Sequence, residues 1–417
     1  GASNQPRCAT FSLPQMDGQC MSPPIRESGG VMLMERSSRV ACFVLLALLL
    51  TAAAADSVAA DDRLRPAVHL LTASDRMFQL AAQGGYESAV QLLPWRDVEP
   101  TDGEWHWQQP DFAVRAAEYY DLGLIVRLDH PPDWAVRSPE NGESGPIDPD
   151  AYADFVATVA RRYRGQVQAY IVWNEPNLSL EWADRPPDPA GYTALLCRAY
   201  SAIKAADPGA TVVSAGLAPT NGGEGAMDER QFLHGMLEAG AAACFDVLGA
   251  HAYGFGRPPD DPRDAPDGLN LARLLDLRSV LEMHGADATA VWITELGWTT
   301  EAAGPDAWQQ VSREQQADYL CRSWDYIKDA WPSVQLAVVW NLSEGLPEAD
   351  GMAGYSLLDA GGEPRPAYQE LRTLFAGDVR GTWFDWASRM QTAWRKLTST
   401  DIPILAADEV VHLGDNQ

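Results

Sequence analysis

The chain has 417 residues, 46% of them hydrophobic, enough to bury one large core with extensions at its ends. Lys and Arg total 31 against 58 Asp and Glu, a formal charge of −27. A polyanion would be repelled from such a surface, which argues against nucleic acid and anionic membranes; solubility is the plainer reading of the acidity, and a neutral or cationic substrate in place of a polyuronate the weaker inference.

The first elements are a targeting signal and the segment before it. Met34-Glu-Arg-Ser-Ser-Arg39 is basic, residues 40–55 are apolar and uncharged, and Ser57-Val-Ala-Ala60 is built of small residues. A basic region, an apolar region and a small-residue end predict a secretory signal peptide over residues 34–60. The apolar stretch is short for a membrane span, so secretion is expected, with a retained N-terminal anchor as the alternative. Residues 1–33 are expected to fall outside the mature protein.

From residue 61 to 376, short apolar runs alternate with amphipathic segments. The runs are 67–71, 88–93, 124–128, 168–173, 211–215, 245–250, 291–295 and 336–340. Each has the length and bounding Gly or Pro of a strand buried on both faces. Between them, Tyr192, Leu195, Leu196, Ala199, Tyr200 and Ile203 share one helix face, and Ser312-Arg-Glu-Gln315 predicts a capping box. Gly123-Leu124 marks a helix end feeding a strand. Alternating strands and helices imply parallel strands with right-handed crossovers, and eight such units close into a (β/α)8 TIM barrel. The competing open sheet lacks a Gly-rich phosphate loop after its first strand. The barrel is expected to finish with a helix at 366–375, and residues 377–417 form an extension without an assignable role.

Cys197, Cys244 and Cys321 remain in the expected mature chain, an odd number without CxxC or His clustering. They read as small buried hydrophobes with at most one bridge, neither a zinc site nor a disulfide framework. No HExxH, Asp/His cluster or dinucleotide fingerprint is present, so no metal or cofactor is expected. Nothing in the sequence speaks to oligomeric state.

The residues that carry chemistry sit where strands end. Glu175 closes Tyr170-Ile-Val-Trp-Asn-Glu-Pro-Asn177, and Glu295 closes Val291-Trp-Ile-Thr-Glu-Leu-Gly-Trp298. A carboxylate at the C-terminal end of a barrel strand stands at the rim where such barrels keep their chemistry. Strands four and seven lie across the barrel, so two carboxylates at their tips point into one cleft, the minimum needed to cleave a glycosidic bond. Either Glu alone would equally suit a salt bridge or a helix cap.

Val172-Trp-Asn-Glu-Pro-Asn-Leu178 with Ile293-Thr-Glu-Leu-Gly-Trp298 resembles the retaining glycoside hydrolases of clan A. The likeness is greatest to family 39 and to related bacterial enzymes that cleave exopolysaccharides. Pro94-Trp-Arg-Asp-Val-Glu-Pro100, Gly103-Glu-Trp-His-Trp107, Pro132-Asp-Trp134, His251-Ala-Tyr253 and Trp340-Asn-Leu342 extend it over residues 66–376. The resemblance implies Glu175 as acid/base and Glu295 as nucleophile, with Tyr253 donating to the nucleophile and Asn174 binding the hydroxyl beside the anomeric carbon. It implies a carbohydrate substrate. A catalytically silent carbohydrate-binding barrel is the reading from another class, and exo- and endo-acting cleavage stay equally open.

His251 either lines the cleft or is a structural histidine. Trp134, Trp182, Trp298 and Trp340 are candidate platforms for a sugar's apolar face, with core packing as their alternative. Trp340 is favoured. Trp105 and Trp107 read as structural, and Glu99 as a brace for its loop. The sequence departs from the resemblance in the second strand, where many relatives carry an Arg that reaches the nucleophile and Gln91 stands instead. Arg127, late in the third strand, is the candidate to replace it.

Overall fold

The computed structural model describes residues 63–136, 146–262, 268–346 and 351–378. The upstream segment, the signal peptide and the extension beyond Asp378 lie outside the described residues.

Eight parallel strands close into a barrel in sequence order. They are β1 (Arg65–Leu70), β2 (Ser88–Pro94), β3 (Gly123–Asp129), β4 (Ala169–Val172), β5 (Thr211–Ser214), β6 (Val247–Tyr253), β7 (Ala290–Gly297) and β8 (Val334–Leu342), with β8 pairing back onto β1. Each overlaps one of the eight apolar runs read from the sequence. The helices that pack outside them are α1 (Asp75–Gln83), α2 (Gln108–Tyr120), α3 (Pro149–Arg162), α4 (Pro189–Ala206), α5 (Glu229–Glu238), α6 (Leu274–Met283), α7 (Arg313–Ala330) and α8 (Pro366–Asp378). The architecture is a (β/α)8 barrel.

Local signals explain where the helices begin. Ser74, Asp148, Asp188 and Asp228 each accept a hydrogen bond from a backbone N–H of the helix they precede, satisfying a group that has no partner within the helix. Ser312 and Gln315 form the expected capping box at α7. On α4, Tyr192, Leu195, Leu196, Ala199 and Ile203 are buried, so the predicted face is the one that packs on the strands.

Two apolar layers result. The barrel interior is filled by Ala67, Val90, Ile125, Ala169, Ile171, Val213, Trp292 and Val338, among others. A larger layer lies between strands and helices, where Leu70, Val126, Ile293 and Leu296 pack. Cys197 on α4 and Cys244, just before β6, form a disulfide across 47 residues, while Cys321 is a free thiol that burial pushes up to about 11. A loop of that length is worth roughly 2–4 kcal/mol when closed. Trp105 and Trp107 stack at 5.0 Å beside Phe155. Glu99 accepts from Trp95 Nε1 and from the Gly103 N–H, so it braces its loop as read.

Candidate active site

Glu175 and Glu295 reach the cleft by different backbone devices. β4 stops at Val172, and Trp173 (φ 77°) and Glu175 (φ 36°) adopt the left-handed region, so the carboxylate sits on a turn beyond the strand. Left-handed backbone is costly for such residues and persists only where surrounding packing holds it. Trp173 is buried, with its Nε1 donating to the Glu181 carbonyl at 2.9 Å. Glu295, by contrast, lies within β7, whose register slips by one residue there: Ala250 pairs with Ile293, but His251 pairs with Glu295. Strict alternation would put Glu295 on the same side as Ile293, facing the helices. The extra residue, Thr294, resets the phase, so that Ile293 and Leu296 face the helices while Glu295 joins His251 inside.

The side chains then converge. One oxygen of Glu175, one of Glu295 and a ring nitrogen of His251 all lie within 4.8 Å of one another. Glu295 Oε1 accepts from Arg127 Nη1 at 2.7 Å, and its Oε2 accepts from the Tyr253 hydroxyl at 2.5 Å. Arg127 Nη1 also donates to Asn174 Oδ1 at 3.0 Å. Its Nε approaches Asp129 Oδ2 to 2.9 Å, an ion pair without hydrogen-bond alignment. His251 Nδ1 lies 2.7 Å from Glu175 Oε1 and 3.5 Å from Glu295 Oε2. Gly216 makes room for that ring, since a Cβ there would lie 2.1 Å from His251 Cδ2.

The electrostatics follow from burial and these contacts. Burial works against a protonated His251, but the Glu295 and Glu175 carboxylates outweigh it and hold the ring above its ordinary pKa. Burial first, then Glu295, pushes the Tyr253 phenol well above its usual range, so it remains a donor. Burial likewise opposes the charge on Arg127, yet Asp129 and Glu295 hold it protonated. Burial, then Asp129 and Glu175, raises the Glu181 carboxyl to about 7 beside the same cleft. The three donor atoms of Glu175, His251 and Glu295 have the spacing of a metal site, but a guanidinium 2.7 Å from Glu295 Oε1 disfavours a second cation.

The aromatic candidates divide. Trp298 and Trp182 are fully buried and belong to the core. Trp298 packs against Tyr319 and donates Nε1 to the Arg257 carbonyl, so the sugar-platform expectation for Trp298, and that for Trp182, are corrected: neither has a face to offer. Trp340 is half-buried, edge-on to His69 at 4.6 Å, with the Arg127 guanidinium 5.9 Å from its ring centre. Trp134 is 39% exposed. Gln91 pairs in register with Leu70 and Val126, which pack in the outer layer, so it faces the helices and does not take the place of Arg127.

Several cleft residues escaped the sequence reading. His69 is fully buried, with neither ring nitrogen hydrogen-bonded among the described residues, and burial, then Arg127 and His251, lowers its pKa well below the ordinary value. A His inside the apolar run of β1 was the signal for it. Tyr355, edge-on to Tyr253 at 5.4 Å, lies in a loop with no pattern to reveal it. Burial, then Glu295 and Glu175, raises its phenol to about 12.

No family model and no curated protein matches the chain by sequence. Solved structures do match by fold. A family 39 glycoside hydrolase from the gut symbiont Bacteroides cellulosilyticus WH2 aligns with a TM-score of 0.58 at 20% identity, over 76% of this chain and 64% of that one. A GH5_18 structure from Streptomyces cattleya in complex with GlcNAc aligns at 0.58 and 16% identity, over 77% of this chain and 81% of that one. Native xylanase 10B from Thermotoga maritima aligns at 0.53 and 15% identity, over 77% and 97%. The shared property is the barrel fold. This chain spans under two thirds of the length of the family 39 structure.

Proposed function

We propose that the protein is a retaining glycosidase that cleaves a carbohydrate by double displacement. The observation that carries this reading is the approach of the two carboxylates, with one oxygen of each within 4.8 Å. Retention requires carboxyls about 5–5.5 Å apart, whereas inversion needs roughly 6.5–9.5 Å to seat a water between them.

The partners of each carboxylate divide the roles. Both oxygens of Glu295 accept from strong donors, Arg127 and Tyr253, which suits a carboxylate that attacks the anomeric carbon. Glu175 is the less buried of the two and is bonded by His251, which suits a group that hands a proton to the leaving oxygen and later takes one from water. Asn174, held by Arg127, is poised for a sugar hydroxyl. Trp340 lines the site as the candidate platform.

The Cys197–Cys244 disulfide supports the secretion expected from residues 34–60, because such bridges persist in oxidising compartments. Among the described residues no helix is long and apolar enough to cross a membrane.

Glu295→Ala tests the reading. Turnover of aryl glycosides by the mature chain should fall by several orders of magnitude, and azide should partly restore it by filling the vacated space and forming a glycosyl azide of inverted configuration. Retention of more than about a tenth of wild-type activity would contradict the assignment. A wild-type chain that binds sugars without hydrolysing any would favour the silent barrel.

A further inference from the structure

Of seven exposed large hydrophobic side chains among the described residues, five stand on loops after the C-terminal ends of strands: Trp134, Val136, Leu180, Trp308 and Met352. That concentration of apolar groups on one face of the described residues points to a ligand larger than the groups at the reacting centre. Two of the five are tryptophans fixed in place. Trp308, 50% exposed, stacks on Phe255 with ring centres 5.8 Å apart and planes 15° from parallel. Its carbonyl would lie only 2.2 Å from a Cβ at position 256, so Gly256 permits the close approach that seats the pair. Phe255 lies two residues past Tyr253, which bonds Glu295, so the pair stands on the loop that leaves the strand carrying Tyr253. Trp134 is braced edge-on by Trp95 at 5.3 Å, and its Nε1 donates to the Glu99 carbonyl at 3.4 Å.

Trp134 follows β3 and Trp308 follows β7, and strands four apart in a closed ring of eight face each other across the mouth. The reacting carboxylates come from β4 and β7 and contact residues of β3 and β6 within that mouth. A single sugar unit at the reacting centre has no use for a held indole on each opposite rim. We infer that the site takes a polysaccharide several units long, uncharged in keeping with the −27 formal charge, laid across the mouth from Trp134 to Trp308 and cut internally. The inference rests on the glycosidase reading above. An exposed indole face supported from behind is suited to the apolar face of a pyranose, and its rigidity limits the entropy lost on binding.

The test compares polymer and single-unit substrates on the mature chain. Wild type, Trp134→Ala, Trp308→Ala and Trp308→Tyr are assayed on soluble xylan, glucomannan, cereal β-glucan and polygalacturonate, and on para-nitrophenyl β-glycosides. Early products from the cleaved polymer should be oligosaccharides. The Ala variants should lower the polymer-to-aryl ratio of kcat/KM by roughly ten- to hundredfold, the loss typical of one stacked ring, and Trp308→Tyr should recover most of it. If Trp308→Ala melts early, Trp134→Ala and Trp308→Tyr carry the comparison. Monosaccharide as the sole early product, an unchanged ratio in the variants, or fastest cleavage of polygalacturonate overturns the inference. Cleavage of aryl glycosides without any polymer overturns it while leaving the glycosidase reading intact; cleavage of neither overturns both.

Discussion

His251 Nδ1 lies 2.7 Å from Glu175 Oε1 and 3.5 Å from Glu295 Oε2, so one buried imidazole stands between the two carboxylates. At that distance the protonated ring donates to Glu175. Both carboxylates hold His251 above its ordinary pKa despite burial, so the charged ring persists to higher pH than a free imidazole.

His251 carries its charge below its raised pKa and loses it as pH rises through that value. Replacing His251 by Asn removes that titration, so a limb of kcat/KM set by the ring should vanish from the alkaline side of the profile. A pH profile of both proteins on one substrate reads this directly. An alkaline limb of unchanged position and shape rules out that role for the ring.

Arg127 spans three partners, Glu295 at 2.7 Å, Asn174 at 3.0 Å and Asp129 at 2.9 Å. A lysine keeps the charge but offers one compact ammonium in place of a planar fork, so it cannot hold all three. Arg127→Lys should lower kcat/KM by roughly 10²–10³, the usual cost of losing one aligned donor at a charged centre. Near-normal kinetics would show that the guanidinium is a structural brace.

Glu175→Gln should separate substrates by leaving group. Departure of a poor leaving group needs a delivered proton, while an activated aryloxide does not. Loss on unactivated oligosaccharides should therefore greatly exceed loss on dinitrophenyl glycosides. Equal losses would recast Glu175 as a residue that positions the sugar.

Trp340→Ala should weaken turnover and leave the fold intact, because the indole is half-buried at the barrel mouth. Loss of a stacking ring costs about 1–3 kcal/mol, or roughly ten- to hundredfold in kcat/KM. Its edge contact with His69 gives the competing outcome. If Trp340 serves chiefly as core, truncation costs about 3–5 kcal/mol of stability and the melting temperature falls with little kinetic change. Thermal unfolding and kinetics on one variant separate the two.

Much of this was legible in the residues. A strand buried on both faces must be apolar along its length, so all eight strands of the barrel could be read as runs. A carboxylate beyond or late in such a run stands out because the run has no other place for charge. The four candidate tryptophans were not separable in that way. Trp298 and Trp182 are core, and Trp134 and Trp340 reach the mouth, yet an indole suits a core and a sugar equally well.

The sequence by itself determined the barrel and put two glutamates late in or just beyond its strands, because periodicity, strand length and capping are local and each leaves its mark within a few residues. Only the tertiary structure decided which way the candidate side chains point. Gln91 and Arg127 sit in adjacent strands, and the register of β2 on β3 turns one toward the helices and leaves the other to reach Glu295. Glu295 itself would face the helices but for the extra residue at Thr294, and no pattern in the chain announces it. Side-chain direction in a sheet has a period of two, so a one-residue slip reverses it, and the slip is set by how neighbouring strands pair across the whole barrel.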